Sequence, residues 1–355
     1  MPNTYWQQTE SFYRTLPKVE LHRHLEGSLR ISTMLEISRT YNMGLPNAED
    51  LHALVQVTDH DPLTSQNFLS KFQTLRKFFR SPQIIQRVAG EAVADAAADG
   101  VIYLELRFTP VALSRAENFP LGEVIDWVLE ATQKADHEFG STTRLITSVN
   151  RHESVDLAEK VIALAADRME DGVVGVDLAG DETQFPALPF QGVFAEALQA
   201  GLHVTIHAGE WGGAGSVADA INILEAERIG HGVRVLEDPA VVALARERGT
   251  TFEVCVTSNV HSGVVPSLEE HPLQDMLSEG LNVTINTDDP SISQISLSHE
   301  YRMISEEMNI PFLTLQGRTL AAARAAFLPR IGRERLVKII GEKFSKVGKN
   351  VTGAA

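Results

Sequence analysis

The chain has 355 residues, 43% of them hydrophobic and 22% charged, the composition of a folded globular protein and not of a disordered or collagen-like one. Its 47 acidic residues outweigh 31 basic ones, and a formal net charge of −16 opposes nucleic acid and anionic membrane surfaces while leaving small neutral substrates and metal cations free to approach. The single cysteine, Cys255, can form no internal disulfide and excludes cysteine-rich zinc sites, so any metal must be held by His, Asp and Glu.

The opening Met1–Gln8 stretch has no basic start followed by an apolar run, and no run of about 18 apolar residues occurs, so the expectation is a cytoplasmic protein that does not enter membranes. From residue 18 onward, short β-branched runs alternate with longer stretches of helical spacing, the pattern of βαβ units around a parallel sheet. Strand one is predicted over Lys18–His22, at the start of Glu20-Leu21-His22-Arg23-His24-Leu25-Glu26-Gly27. Residues two apart in a strand share a face, so His22 and His24 can present both imidazoles to one ion. Residues 31–100 read as a helical insertion over one mouth of the sheet, with helical apolar spacing across Asn67–Phe79 and Pro82–Ala98. Core packing is the expectation for most of Phe68, Phe72, Leu75, Phe78 and Phe79, with a lid over a ligand as the alternative.

Strand two is predicted over Val101–Phe108 and strand three over Arg144–Val149, the latter followed by His152 and Glu153, a pair expected to be solvated. Strand four, Gly172–Asp177, leads into Asp177-Leu178-Ala179-Gly180-Asp181-Glu182. Strand five, His203–His207, ends in His207-Ala208-Gly209-Glu210, a histidine at a strand end with a carboxylate three residues on; Glu210 could equally sit in the first turn of the next helix. Strand six, Arg228–His231, holds Gly230 and precedes Gly232, and His231 alone reads as a core histidine. Strand seven, Thr251–Val256, contains Cys255 as a small buried side chain and precedes Thr257-Ser258-Asn259. Strand eight, Asn282–Asn286, runs into Thr287-Asp288-Asp289-Pro290, where an Asp before Pro could also be a helix cap. Leu313–Val347 reads as helix, broken around Pro329–Gly332. Eight strands close a (β/α)8 TIM barrel, so the expected architecture is one domain over residues 1–355, with extra helices between strands one and two and at the C-terminus.

Each signal taken singly has an ordinary explanation, but four of them fall at the ends of strands one, five, six and eight, where a barrel builds its active site. Together His22, His24, His207 and Asp288 make an N3O set suited to one zinc ion with a further position for water.

These segments, in this order and at these separations, resemble the adenosine deaminase family of amidohydrolase-type metal barrels, over about Leu16 to Ala326. The resemblance implies Zn2+ on His22, His24, His207 and Asp288, with Glu210 protonating purine N1 and His231 orienting and deprotonating the attacking water. It implies substrate contacts at His24, Glu26, Gly180 and Asp289: Gly180 N–H to purine N3, Asp289 to N7, and position 26 to the ribose 5′-hydroxyl. Zinc lowers the pKa of bound water from about 16 to about 7, and an acid at N1 makes C6 electrophilic. His137, His203, His261, His271 and His299 receive no role.

Position 26 departs from the nucleoside enzymes, which commonly have aspartate there, whereas glutamate is typical of relatives acting on adenine. Gly230 and Asn286-Thr287 look like the nucleoside branch. The expected reaction is therefore adenosine to inosine and ammonia, the alternatives being adenine or a 5′-modified adenosine such as aminodeoxyfutalosine or methylthioadenosine. Ester or amide hydrolysis on the same barrel fits less well, because the acid Glu210 and the Asp289 purine contact occur together, and a purine-binding relative without catalysis fits less well, because Glu210, His231 and all four ligands are intact.

Overall fold

The computed structural model describes residues 10–44 and 48–352; the Met1–Gln8 stretch discussed above lies outside them. Eight parallel strands form one sheet in sequential order: β1 Lys18–His24, β2 Val101–Phe108, β3 Thr142–Asn150, β4 Val173–Ala179, β5 His203–Ala208, β6 Arg228–His231, β7 Thr251–Val254 and β8 Asn282–Ile285. Closure between the last and first strands comes just past β8, where Asp288 N–H donates to His22 O at 3.0 Å and His24 N–H to Asp288 O at 2.8 Å. The fold is thus the TIM barrel expected from the alternation. Six strands differ from their predicted bounds by one or two residues: β1 runs on to His24, β3, β4 and β5 also run further, β8 stops at Ile285, and β7 stops at Val254, so Cys255 caps the helix Val256–His261 and is not itself in a strand.

The period-two alternation sorts each strand's side chains between barrel interior and helix layer. The outward set, such as Val19 and Leu21 of β1 or Leu104 and Leu106 of β2, is fully buried under helices. The inward set is ionic. Arg107 of β2 reaches Glu253 of β7 at 2.6 Å and Asp177 of β4 at 3.5 Å, and Arg228 of β6 reaches Glu253 at 2.6 Å and Glu105 at 2.5 Å. Every one of these groups is at most 1% exposed, so each charge depends on its partners, and removing one would strand another without solvation.

The insertion divides in two. Helix Ser65–Leu75, capped by the Thr64 hydroxyl, and the turn Arg76–Phe78 lie against the C-terminal mouth, whereas Pro82–Ala98, capped by the Ser81 hydroxyl, packs along helix Leu121–Phe139 in the outer ring. Phe68, Leu75, Phe78 and Phe79 are core residues, and Phe72 is only partly buried. At the C-terminal end, helix Phe312–Ala325 packs on β8 and β1, and the chain breaks before Arg330–Thr352 because Pro329 lacks the N–H a continuing helix needs. Among the described residues, no helix is long and apolar enough to cross a membrane.

Candidate active site

His22, His24, His207 and Asp288 meet at the mouth formed by the C-terminal strand ends, with one donor atom from each all within 4.8 Å of one another. Barrel closure brings the ligands together: the hydrogen bonds that join Asp288 to β1 also set its carboxylate 3.2 Å from His22 Nε2 and 3.3 Å from His24 Nε2. Asp288 takes a left-handed backbone conformation to do so (φ 64°), as does His231 (φ 59°), and non-glycine residues held there mark a site whose surroundings over-determine it. Asn286 and Thr287 serve the same closure, accepting Leu21 N–H on Asn286 Oδ1 at 2.9 Å and donating Thr287 N–H to Glu20 at 3.1 Å. Neither lines the substrate cavity. Gly230 leaves room for the His22 ring, since a Cβ there would stand 2.9 Å from His22 Cε1.

The donor set fits zinc. His22 Nε2 is buried with no hydrogen-bond partner, a lone pair directed at the place an ion would take. Behind the ligands, His22 Nδ1 lies 2.8 Å from Glu253, His207 Nδ1 lies 2.9 Å from Asp177, and the Ser258 hydroxyl donates to Asp288 Oδ2 at 2.6 Å. Carboxylates on the far nitrogens fix ring orientation and tautomer, as metal-binding histidines require. Burial pushes the His24 imidazole well below its ordinary pKa, keeping it neutral and free to coordinate.

Glu210 follows β5 in a loop and does not reach the helix Ala214–Asn222, so it supplies no first-turn charge. Its loop is pinned by Glu182, whose carboxylate accepts the backbone N–H groups of Gly209, Glu210, Trp211 and Gly212 at 2.7–2.8 Å and the Ser216 hydroxyl. Burial, and then the neighbouring Asp288 and Glu182 carboxylates, push Glu210 well above the ordinary carboxylate range, the direction a proton-donating carboxyl needs. His231 Nε2 lies 3.7 Å from Glu210 and 3.9 Å from Asp288.

These groups open onto a cavity of about 290 Å³ that also admits Glu26, Gly180 and Asp289 and is walled on the lid side by Phe68, Phe72 and Arg76. A larger groove of about 980 Å³ between Pro82–Ala98 and Leu121–Phe139 is open to solvent and holds none of this chemistry. Asp289 does precede a short helix, yet its side chain makes no cap bond; Oδ1 is buried without a partner over Gly27, where a Cβ would stand 1.8 Å from it. Burial and the nearby Asp288, Glu26 and Glu210 raise Asp289 well above its ordinary pKa. Glu26 accepts Thr109 N–H on Oε1 at 2.9 Å and leaves Oε2 buried and unpaired, its pKa raised by burial.

The residues assigned to metal, catalysis and substrate from the sequence all lie at this one mouth. His152, expected to be solvated, also lines the cavity, while Glu153 turns to Arg115 at 2.5 Å. Glu253 behind the ligands and Trp211 and Arg76 in the cavity wall are not among the residues singled out in the sequence, and Asp177 and Asn259, present in its motifs, receive their positions behind His207 and His231 only from the fold. A signal existed for Glu253: a carboxylate at the centre of the apolar run Thr251–Val256 needs a buried partner.

A parallel eight-stranded barrel with three histidines and an aspartate at its C-terminal strand ends is a metal-dependent hydrolase of the amidohydrolase type. The family profile of adenosine deaminase matches residues 17–343. An adenosine deaminase of Klebsiella pneumoniae is 36% identical over 331 residues, covering 92% of this chain and 98% of that one. Among solved structures, an adenine deaminase from Arthrobacter aurescens superposes with a TM-score of 0.86 at 27% identity, covering 93% of this chain and 99% of that one. A B. ambifaria amidohydrolase with bound zinc superposes with a TM-score of 0.89 at 25% identity, covering 99% and 97%. The chain belongs to the adenosine deaminase family, and it is a hydrolytic deaminase.

Proposed function

We propose that this enzyme converts adenosine to inosine and ammonia with one zinc ion per chain held by His22, His24, His207 and Asp288. The observation that carries the reading is the convergence, on one cavity beside that donor set, of Glu210, His231, Glu26 and Asp289, with burial and neighbouring carboxyls raising the pKa of Glu210 and Asp289. The purine ring needs an acid at N1 to lose aromaticity, and Glu210 is a carboxylic acid poised to supply it. Asp289, its pKa raised and its Oδ1 without a partner, is the carboxyl for N7. Gly180 offers a backbone N–H toward N3 from a loop that glycine alone shapes easily (φ 102°). His231 stands where it orients the attacking water over C6. Zinc, when bound, supplies the Lewis-acid chemistry that makes water nucleophilic at neutral pH. The apolar lid residues Phe68 and Phe72 cover the base and exclude bulk water.

The free oxygen of Glu26 supports the nucleoside reading, because a side chain that merely plugged the sugar space would need no unpaired oxygen at its tip. The alternatives are adenine, the substrate named for the Arthrobacter neighbour, and a 5′-modified adenosine. We read the chain as one cytoplasmic domain acting on small-molecule purines, with the Ser65–Phe78 segment as the lid over its mouth and no nucleic-acid or membrane partner. The deciding measurement is kcat/KM for adenosine and adenine on native enzyme and on Glu26→Ala. Native enzyme should prefer adenosine by at least about tenfold, roughly 1.4 kcal/mol, and Glu26→Ala should narrow the gap. A native preference for adenine, with Glu26→Ala admitting adenosine, would assign the enzyme to the free base.

A further inference from the structure

We infer that Asn259 and His271 are positioning residues that hold His231 in a single tautomer, with Nδ1 bare and the ring proton on Nε2 facing the reaction centre. A chain of hydrogen bonds runs to His231 from a group that can only donate. The backbone N–H of Leu273 donates to His271 Nδ1 at 3.1 Å, so the proton of neutral His271 sits on Nε2. That nitrogen is 3.2 Å from Asn259 Oδ1, to which it donates. The amide is thereby oriented, and its Nδ2, which can only donate, lies 3.1 Å from His231 Nδ1. His231 Nδ1 must accept, leaving the proton on Nε2.

The reverse orientation of the Asn259 amide fails, because it sets the NH2 group against His271 Nε2–H. Moving the His271 proton to Nδ1 sets it against Leu273 N–H instead. Double protonation of His271 meets the same clash, and burial holds its pKa down at about 3. His231, Asn259 and His271 are 1%, 0% and 5% exposed, so bulk water has no path to relax the chain. At the other end Nε2 looks onto the Asp288 carboxylate at 3.9 Å, an acceptor for that proton, and onto Glu210 at 3.7 Å.

The functional consequence rests on the deaminase reading. An imidazole that presents N–H donates to the attacking oxygen and aims its lone pair; it cannot also take that oxygen's proton. His231 is then an orienting donor, and the base role the family resemblance implies for it is the one this hydrogen-bond direction removes.

The test uses zinc-loaded enzyme with ring-15N-labelled histidine, the His231 resonances being identified by their loss in His231→Gln. A proton on Nε2 and none on Nδ1 is expected, and Nδ1–H would overturn the inference. Asn259→Asp replaces the donating amide by an accepting carboxylate and should move the proton to Nδ1. In kinetics, His271→Leu should lower kcat for adenosine at least tenfold, with KM within about threefold and zinc content unchanged. His271→Gln, whose amide nitrogen can donate to Asn259 Oδ1, should recover kcat to within about threefold of native. If His271→Leu keeps native kcat, or if folded His271→Gln is as impaired as His271→Leu, the relay is not positioning His231. The NMR pattern does not depend on substrate, so failure of the adenosine reading would show in the rates while leaving the tautomer result standing.

Discussion

On the barrel side of the cavity, the metal ligands stand on strand ends and have charged or hydroxyl groups behind them, Glu253 for His22, Asp177 for His207 and Ser258 for Asp288. On the lid side, Phe68, Phe72 and Arg76 come from one helix and the turn that follows it, and Arg76 Nε is buried with no partner. One wall is held by hydrogen bonds and ion pairs running across the whole barrel; the other is laid on by apolar contact. The ionic wall sets the chemistry, which tolerates little displacement, and the apolar wall governs entry and burial of the base, where small losses of area act on binding.

Removing the metal should break the first wall most completely. Dialysis against chelator is expected to abolish adenosine turnover while circular dichroism stays native, because a barrel core of this size does not depend on one ion. Joint loss of fold and activity would make the ion structural. His207→Ala should likewise lose both zinc and activity.

Next in size is Glu210→Gln, which keeps the shape of the side chain and its distance from the ligands but cannot donate to N1. Turnover should fall about 10²–10⁴-fold with zinc content unchanged by elemental analysis. Near-native turnover would take Glu210 out of the mechanism.

The lid should answer differently. Phe72→Ala removes apolar surface worth about 1 kcal/mol at the cavity wall, so KM for adenosine should rise several-fold while kcat changes less than about twofold. A kcat loss as large as that of Glu210→Gln would erase the distinction between the two walls.

The least visible effect falls on stability. Glu300, which bonds Thr257 in the helix carrying Ser258 and Asn259, is raised by burial to a pKa of about 7. Between its unfolded value of about 4.3 and 7 the folded state binds more protons than the unfolded one, so Glu300 lowers stability as pH rises through that window. Glu300→Gln should therefore gain on native enzyme between pH 5 and pH 8, by on the order of 2 kcal/mol, read as a widening difference in Tm. A constant difference across that range would mean Glu300 is ionised in both.

Much of this site was readable from order along the chain. The His22-x-His24 pair, His207 with Glu210, His231 and Asp288-Asp289 each mark a strand end, and a parallel barrel gathers all its strand ends at one mouth. Asn286, Thr287 and Gly230 pointed to the nucleoside branch, but the structure gives them positions in barrel closure and beneath His22, with Asn286 and Thr287 absent from the cavity wall. Glu26, the residue that pointed elsewhere, is the one that reaches the cavity.

Local periodicity by itself marked the strands and their parallel order, because strand pleat and helical turn are properties of neighbouring residues, and the residue types at the strand ends marked the ligands. Partnership across the barrel was decided only in three dimensions. Glu253 backs His22 across 231 residues of sequence, and Asn259 stands between His231 and His271 because a helix turns inward after β7. Such pairings depend on the stagger with which the barrel closes and on which side chains its curvature turns to one point. No spacing along a single strand encodes that geometry.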